Sequence, residues 1–292
     1  MILTSVRRGL AVGLFLLLVP LAAGAAEEGF VQQFEQGTVD WCDGVVRAEG
    51  TAIAPASAVS LPRARALALR AAVTEARGRL LHTVRSVQVT PGITAGDMLD
   101  AGGALSEFVR GQVQNSRIDR QDFLADGSAR VVVSIALRDG LLGQFLAPAL
   151  PFKVAASPVS GRSVPASEVA EPQILQDGEF SGVVIDARGT GALPALMPVV
   201  VLPGGETVYG VRQAVRRYAL ERGLAVYVTD GQAAAVAAVA GSAPLTLRAA
   251  AVQESAPSVI VLDDPEAQLL HSPAAVKSLA ACRVVVLLDA VF

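Results

Sequence analysis

An apolar side chain recurs at every fourth position between residues 60 and 85, and this spacing predicts a long amphipathic helix. Ser60 is the expected N-cap, and Pro62 falls in the first turn, where proline is tolerated. Most side chains of this apolar stripe are small, so we expect the helix to lie close against a sheet. The stripe consists of Ala64, Ala68, Ala72, Ala76, Leu80 and Val84.

Alternating and β-branched runs on both sides of this helix predict the strands of an N-terminal sheet. A polar leader at 27–39 comes before the first strand, and an Asp126-Gly127 turn separates the last two. In chain order we expect a strand at 41–54, the long helix, a short extended segment at 86–89, a second helix at 94–109, and strands at 112–123 and 129–137. This β-α-β-α-β-β order predicts one α+β module.

The C-terminal half carries short β-branched runs punctuated by glycine and proline, which predict a second, mixed sheet. Gly204-Gly205 follows one such run and is expected to fold residues 206–209 back as a hairpin. The final run, residues 283–288, is almost purely apolar, so we expect it to be central in its sheet. The other expected elements are strands at 183–185, 199–202, 224–228, 245–250 and 259–262, and helices at 211–222 (ended by Gly223), at 233–240, from 264 onward and at 273–281.

Five prolines spread between residues 147 and 172 predict an extended linker between two domains. A chain of 292 residues is long enough for two domains of ordinary size. We therefore predict an α+β protein built from two small α+β domains, the N-terminal module and a C-terminal mixed-sheet domain, joined by the Pro-rich linker. The predicted boundaries are 1–26 for a signal peptide, 27–146 for the N-terminal domain, 147–173 for the linker and 174–292 for the C-terminal domain.

The first 26 residues have the pattern of a secretory signal peptide. Arg7 and Arg8 give a positive start, residues 9–21 are apolar, and small residues follow at 23–26. We expect cleavage near residues 25–26 and a soluble, periplasmic protein. No cysteine lies at the cleavage site, so we expect no lipid attachment. An uncleaved membrane anchor is the alternative, for which the apolar run is short.

The overall composition narrows the class of protein. Apolar residues make up 52% of the chain and charged residues 17%, which favours packed cores over global disorder. The net charge of -3 argues against a general nucleic-acid binder. Aromatic residues make up only 4%, so the cores must be built from alanine, valine and leucine.

Six arginines against a single glutamate, Glu75, give the predicted long helix a basic side. Arg63, Arg70 and Arg77 follow at seven-residue spacing, which predicts one helical face away from the alanine stripe. Two interpretations are open. The face can be an interaction surface for an acidic lipid, glycan or protein, or a solvated face whose charges are balanced by acids elsewhere.

Aspartates end three of the predicted C-terminal strands: Asp186, Asp263 and Asp289. Carboxylates at the ends of neighbouring strands can hold Mg²⁺ for phosphoryl chemistry, which makes a metal-dependent hydrolase one hypothesis. Structural roles are the other. Asp186 can pair with Arg188 or with the amides of the turn at Gly189, and Asp264 can cap a helix. No phosphate-cradling loop accompanies these residues, so we predict no catalytic, cofactor-binding or metal-binding residue.

Histidine and cysteine add no recognisable reactive set. No ligand-type residue lies one turn after His82, and neither His82 nor His271 belongs to a nucleophile motif. Cys42 and Cys282 both remain after cleavage, and in an oxidising compartment they can form a disulfide. Two small buried thiols are the alternative.

Two stretches of the N-terminal half resemble the module shared by flagellar assembly protein T and small bacterial surface lipoproteins. They are WCDGVVRAEG at 41–50 and ARALALRAA at 64–72. IDARG at 185–189, VYG at 208–210 and CRVVV at 282–286 are similar to extended members of that group. The resemblance implies a non-enzymatic envelope protein without a cofactor. Flagellar protein T belongs to a ring around the basal body. This chain departs from the lipoproteins because it lacks their N-terminal cysteine.

These observations together lead us to expect an exported, non-enzymatic cell-envelope adaptor or assembly factor, most concretely for the flagellar basal-body ring. Its expected partners are envelope or flagellar basal-body proteins, and both homo-oligomerisation and peripheral membrane contact are compatible with that role. Two alternatives stay open: a metal-dependent hydrolase that uses the strand-end aspartates, and a glycan- or lipid-binding module that uses the Arg-rich helix.

Overall fold

The N-terminal domain is a five-stranded antiparallel sheet with a long helix across one face. The structure, a computed structural model, describes residues 29–56, 60–146, 151–153, 180–231, 233–263 and 265–290. The strand order in the sheet is β1-β2-β3-β7-β6. The elements are β1 (Val31–Phe34), β2 (Gly37–Asp40), β3 (Val45–Ile53), α1 (Leu61–Ser86), β4 (Gln88–Thr90), β5 (Ile93–Thr94), α2 (Ala95–Asp100), α3 (Ala104–Gln114), β6 (Arg117–Phe123), β7 (Ser128–Ala136), a π-helical turn (Leu137–Leu141) and α4 (Leu142–Phe145).

Helix α1 lies unusually close to strand β3, as the alanine stripe predicted. On the side of α1 that faces the sheet, Ala68, Ala72 and Ala76 are fully buried. Gly50 lies opposite on β3, and a Cβ atom there would be only 2.4 Å from the carbonyl oxygen of Ala72 and from the amide nitrogen of Ala76. Small side chains on the helix and a glycine on the strand together allow this approach. Alanine projects only a methyl group, and glycine has no side chain.

Three predictions in this domain were wrong in detail. The polar leader forms β1 and β2, which pair as a hairpin and extend the sheet. The helix expected at 94–109 is two helices, because Gly102 and Gly103 adopt positive φ angles of 74° and 80° and interrupt it. The strand expected at 112–123 begins only at Arg117, since α3 continues to Gln114 and buries Val113.

The C-terminal domain holds two four-stranded sheets. One is entirely parallel, with strand order β11-β15-β8-β12, and the other has the order β10-β9-β14-β13, in which only β9 and β14 are parallel. The elements are β8 (Val183–Asp186), β9 (Val199–Val201), β10 (Thr207–Tyr209), α5 (Arg216–Arg222), β11 (Val226–Val228), α6 (Ala234–Ala240), β12 (Leu245–Arg248), β13 (Ala251–Gln253), β14 (Ala256–Val261), a 3-10 helix (Pro265–His271), α7 (Pro273–Ala280) and β15 (Val284–Leu287).

The main predictions for this domain are confirmed. Strand β15 lies between β11 and β8 with all four residues buried. The Gly204-Gly205 turn joins β9 and β10 as an antiparallel hairpin. Helix α5 is shorter than expected and starts at Arg216. Strand β13 was missed, because its three residues are too few to show an alternating pattern against the neighbouring apolar run.

The two domains share one hydrophobic core. The backbone amide of Phe30 donates to the carbonyl of Tyr227 at 3.2 Å, and the rings of Trp41 and Tyr227 meet edge to face with centroids 5.5 Å apart. On the other side, the amide of Leu196 donates to the carbonyl of Gln88 at 2.9 Å. Each half nevertheless has its own helices and sheets, so the predicted two-domain α+β class is confirmed. The predicted linker, 147–173, lies outside the described residues apart from 151–153.

Candidate functional site

The parallel sheet brings charged residues from three of its strands to one edge. In an open α/β sheet, ligands bind in the crevice outside the carboxyl ends of the strands. Asp186 ends β8, and Arg248 ends β12 in register with it. Asp289 follows β15 by two residues. The sequence had suggested this edge through its aspartates. Arg248 was missed, although a charged residue ending an apolar strand is the same kind of signal.

Donors of the chain itself bind two of these carboxylates. Arg188 donates from Nε to one oxygen of Asp186 at 2.8 Å and from a terminal nitrogen to the other at 2.6 Å. This pair is one of the two structural roles predicted for Asp186. The amide of Gly189 donates to both oxygens of Asp289, at 3.1 and 2.8 Å. Gly189 has a φ of 77°, a left-handed conformation that turns its amide toward β15 and that glycine adopts without a steric penalty.

The hydrogen bond from Arg188 holds the pKa of Asp186 below its ordinary value of 3.8, and the positive charge of Arg248 acts in the same direction. The Asp186 side chain is 26% exposed, so solvent screens part of this attraction. The lowered pKa means that the ionised carboxylate stabilises the fold above the unfolded-state pKa, and that this stabilisation is lost as the pH falls through the folded-state value.

We therefore expect Asp186→Asn to lower the free energy of unfolding at pH 7 by at most about 1 kcal/mol. The difference from the wild-type protein is expected to shrink as the pH falls below 4, where the wild-type carboxylate also becomes neutral. Urea unfolding at several pH values measures both quantities. A difference that stays constant down to pH 2.5 would show that shape, and not charge, makes Asp186 stabilising.

Asp263, at the end of β14, lies in an open cleft of about 460 Å³ beside this edge. Arg188, Gly189, Thr190, Arg248, Ala249, Ala250 and Pro265 also line the cleft. In the part of the chain that the structure describes, no group of three His, Cys, Asp or Glu side chains is placed to hold a metal ion. Asp264 lies outside the described residues. Arg188 and the Gly189 amide engage Asp186 and Asp289, which gives both carboxylates a structural role.

On helix α1 the structure separates Arg77 from Arg63 and Arg70. The last two are exposed, whereas Arg77 is half-buried and its Nε donates to the hydroxyl of Ser116 at 3.3 Å. The three arginines lie within about 40° of one another around the helix axis, so they share one broad side, but Arg77 lies closer to the buried stripe than the other two. At 100° per residue, a four-residue repeat rotates by about +40° per step and a seven-residue repeat by about -20°. The alanine stripe and the arginine series therefore converge toward the C-terminal end of the helix.

Three other arginines of α1 are engaged within the domain. Arg65 lies over the ring of Phe123 at 5.5 Å, Arg79 pairs with Glu75, and Arg85 forms a two-pronged pair with Asp100 at 2.9 and 2.8 Å. Among the described residues, no carboxylate is paired with Arg63 or Arg70. Most arginines on the basic side of α1 thus agree with the interpretation as a face balanced within the domain. Arg63 and Arg70 do not, because no carboxylate of the described residues balances them.

Cys42 and Cys282 do not form a disulfide in the structure. Alternate residues of a strand point to opposite faces of its sheet. Cys42 packs against the apolar cluster that includes Val184, whereas Cys282 belongs to the core cluster that includes Val183, so the parallel sheet lies between them. Burial raises the pKa of the Cys282 thiol to about 11. The possible disulfide is therefore corrected to two separate thiols.

The two histidines lie apart from these features. His82 is exposed on α1. His271 lies 3.8 Å from a carboxylate oxygen of Glu206, at the surface of the C-terminal domain. Neither lines the cleft at the strand ends.

The fold defines a two-domain α+β protein whose C-terminal domain carries an open parallel sheet with charged strand ends. Residues 182–290, which include all of β8 to β15, match the family described as Treponema pallidum Tp0624, second domain. No curated protein matches the chain. Within the described residues, no helix is long and apolar enough to span a bilayer.

Proposed function

We propose that this protein is an exported cell-envelope adaptor or assembly factor, and that it binds an acidic protein partner through helix α1. The flagellar basal-body ring is the most concrete assembly for this role, on the strength of the sequence resemblance at 41–50 and 64–72. The signal-peptide pattern of the first 26 residues supports export.

The observation that carries the proposal is the pair Arg63 and Arg70. Both side chains are exposed on the side of α1 that faces away from the sheet, and no carboxylate of the described residues pairs with them. Most other arginines of this helix have partners inside the domain. A guanidinium exposed in this way is available for the bidentate contacts that arginine makes with carboxylates across an interface.

The shared core gives the adaptor a second property. Trp41 of the N-terminal domain packs on Tyr227 of the C-terminal domain, and this contact restricts movement of the two domains relative to each other. A rigid body loses less conformational entropy on binding than two independently moving domains would.

The test is a double charge reversal, Arg63→Glu with Arg70→Glu. We expect the free energy of unfolding to change by no more than about 0.5 kcal/mol, since both sites are exposed. Binding to an acidic partner is expected to fall about tenfold or more, because attraction becomes repulsion. A photo-cross-linking residue at the exposed position Ala66, used in intact cells, measures capture of the partner.

The matched control is Arg110→Glu with Arg212→Glu, which makes the same change in net charge at two exposed positions off this helix. It is expected to leave the Ala66 cross-link unchanged. Equal capture by the wild-type protein and the α1 double variant would remove α1 as the interface. Normal motility in a strain without the gene would remove the flagellar version of the proposal.

A further inference from the structure

We propose that the cleft at the strand ends, lined by Arg188, Arg248 and Asp263, binds the carboxylate of a small polar ligand that also carries a hydrogen-bond donor. This site is separate from the α1 surface and does not depend on the adaptor role. It goes beyond that role because an adaptor needs only an outer surface, whereas this cleft is concave and has opposite charges on its walls.

The position of the cleft is the first argument. It lies where β8, β12 and β14 end, and its wall includes Gly189, Ala249 and Ala250. Clefts outside the carboxyl ends of parallel strands are the usual ligand sites of open α/β sheets. At about 460 Å³, this one has the volume of a small-molecule site.

The two arginines are the second argument. Arg188 is held in place by its two-pronged bond to Asp186, so its guanidinium is oriented before a ligand arrives. In the parallel register of β12 and β8, the backbone of Arg248 lies opposite that of Asp186, which brings the Arg248 side chain to the same strand end. Guanidinium groups recognise planar carboxylates with two parallel hydrogen bonds. A preoriented group loses less entropy on binding.

The carboxylates near these arginines decide which anion fits. Asp263 lines the cleft, and Asp186 lies directly behind Arg188. Asp230 and Asp289 also act electrostatically on Arg188, so carboxylates outnumber the two arginines here, and a dianion such as phosphate is repelled more than a monoanion is. Asp263 can also accept a hydrogen bond from a hydroxyl or ammonium group of the ligand. A monoanion that carries a hydrogen-bond donor can therefore contact both the arginines and Asp263.

Two kinds of ligand share this chemistry: the carboxyl end of a peptide, and a sugar acid. The experiment is a ¹⁵N NMR titration of the full-length protein that follows the backbone amides of Gly189, Thr190 and Ala249. The probes are the dipeptide Ala-Ala, its C-terminal amide, glucuronate and inorganic phosphate. We expect saturable shifts with Ala-Ala or with glucuronate, and the tighter of the two identifies the source. The dipeptide amide is expected to give none, because it lacks the carboxylate.

Two variants and a matched control assign the contacts, and a fourth variant covers the case of misfolding. Arg248→Gln is expected to weaken binding of the better probe about tenfold or more, the loss of one charge-assisted hydrogen bond. Arg212→Gln, the matched control at an exposed site outside the cleft, is expected to leave it unchanged. Asp263→Asn is expected to reduce the discrimination against phosphate, because one of the repelling charges is gone. If Arg248→Gln disturbs the fold, Arg188→Lys is expected to give a comparable loss, because it keeps the charge but not the fork.

The proposal is overturned if neither carboxylate probe shifts these amides saturably in the wild-type protein. It is also overturned if phosphate binds as tightly as the carboxylates, or if Arg248→Gln and Arg212→Gln behave alike. None of these outcomes depends on cross-linking through α1, so failure of this site and failure of the adaptor role are distinguished.

Discussion

Gly50→Ala is expected to destabilise the N-terminal domain by about 3 kcal/mol or more. The added methyl group would lie 2.4 Å from the backbone oxygen of Ala72 and from the backbone nitrogen of Ala76. Backbone atoms cannot rotate away as a side chain can. The whole of α1 must therefore move off the sheet, which loosens the contacts of the fully buried Ala68, Ala72, Ala76 and Leu80.

The matched control for this substitution is Gly78→Ala on α1, where an added Cβ meets no atom within 4 Å. Alanine is the better helix former, so this change is expected to stabilise the protein by about 0.5–1 kcal/mol. Urea unfolding followed by circular dichroism measures both variants. If Gly50→Ala costs less than 1 kcal/mol, α1 does not lie against β3 as closely as the structure places it.

Tyr227→Ala is expected to destabilise the whole protein by about 3–5 kcal/mol. The side chain is fully buried between the domains. Its hydroxyl accepts from the amide of Ala195 at 3.1 Å and donates to the carbonyl of the same residue at 2.8 Å, while its ring meets Trp41. Truncation leaves a cavity and two unsatisfied backbone groups, which are costly when buried. Because both domains contact this side chain, we expect their unfolding transitions to separate.

Two further variants separate the parts of this effect. Tyr227→Phe keeps the ring and removes only the hydroxyl, and we expect it to cost about 1–3 kcal/mol. Tyr218→Ala is the control for size, because that tyrosine is half-buried and packs on Arg217 and Arg222 at the surface. Unfolding monitored separately by Trp41 fluorescence and by far-ultraviolet circular dichroism measures the coupling. Coincident transitions in Tyr227→Ala would mean that the domains do not depend on this residue for their association.

The elements that the sequence predicted well are those whose pattern is local and strong. The alanine stripe fixed the face of α1, because a four-residue repeat has only one helical interpretation. The apolar run at 283–288 predicted the central strand β15, since a strand that is apolar on both faces must be covered on both. The polar leader gave no such signal. Its residues form β1 and β2 because β3 already offers an edge with which they pair.

Among the site residues, the sequence placed Asp186, Arg188 and Gly189 together because they are neighbours in the chain. It did not place Arg248 beside Asp186, since 61 residues separate them and only the parallel register of β8 and β12 joins them. It also grouped Arg77 with Arg63 and Arg70, because seven-residue spacing looks constant in a sequence. The half-burial of Arg77 depends on α3 and on Ser116 just after it, which reach that part of the helix from elsewhere in the chain.

The sequence by itself determined the class of the fold, the long helix with its small-residue face, the glycine turns and the charged ends of the strands. Those features follow from periodicity, from the stereochemistry of glycine and from side-chain polarity, all of which act within a few residues. Only the tertiary structure decided that the domains share a core through Trp41 and Tyr227, that the sheet separates Cys42 from Cys282, and that Arg188, Arg248 and Asp263 line one cleft. Those outcomes depend on which strands pair and in what register, and pairing is settled by contacts between residues far apart in the chain.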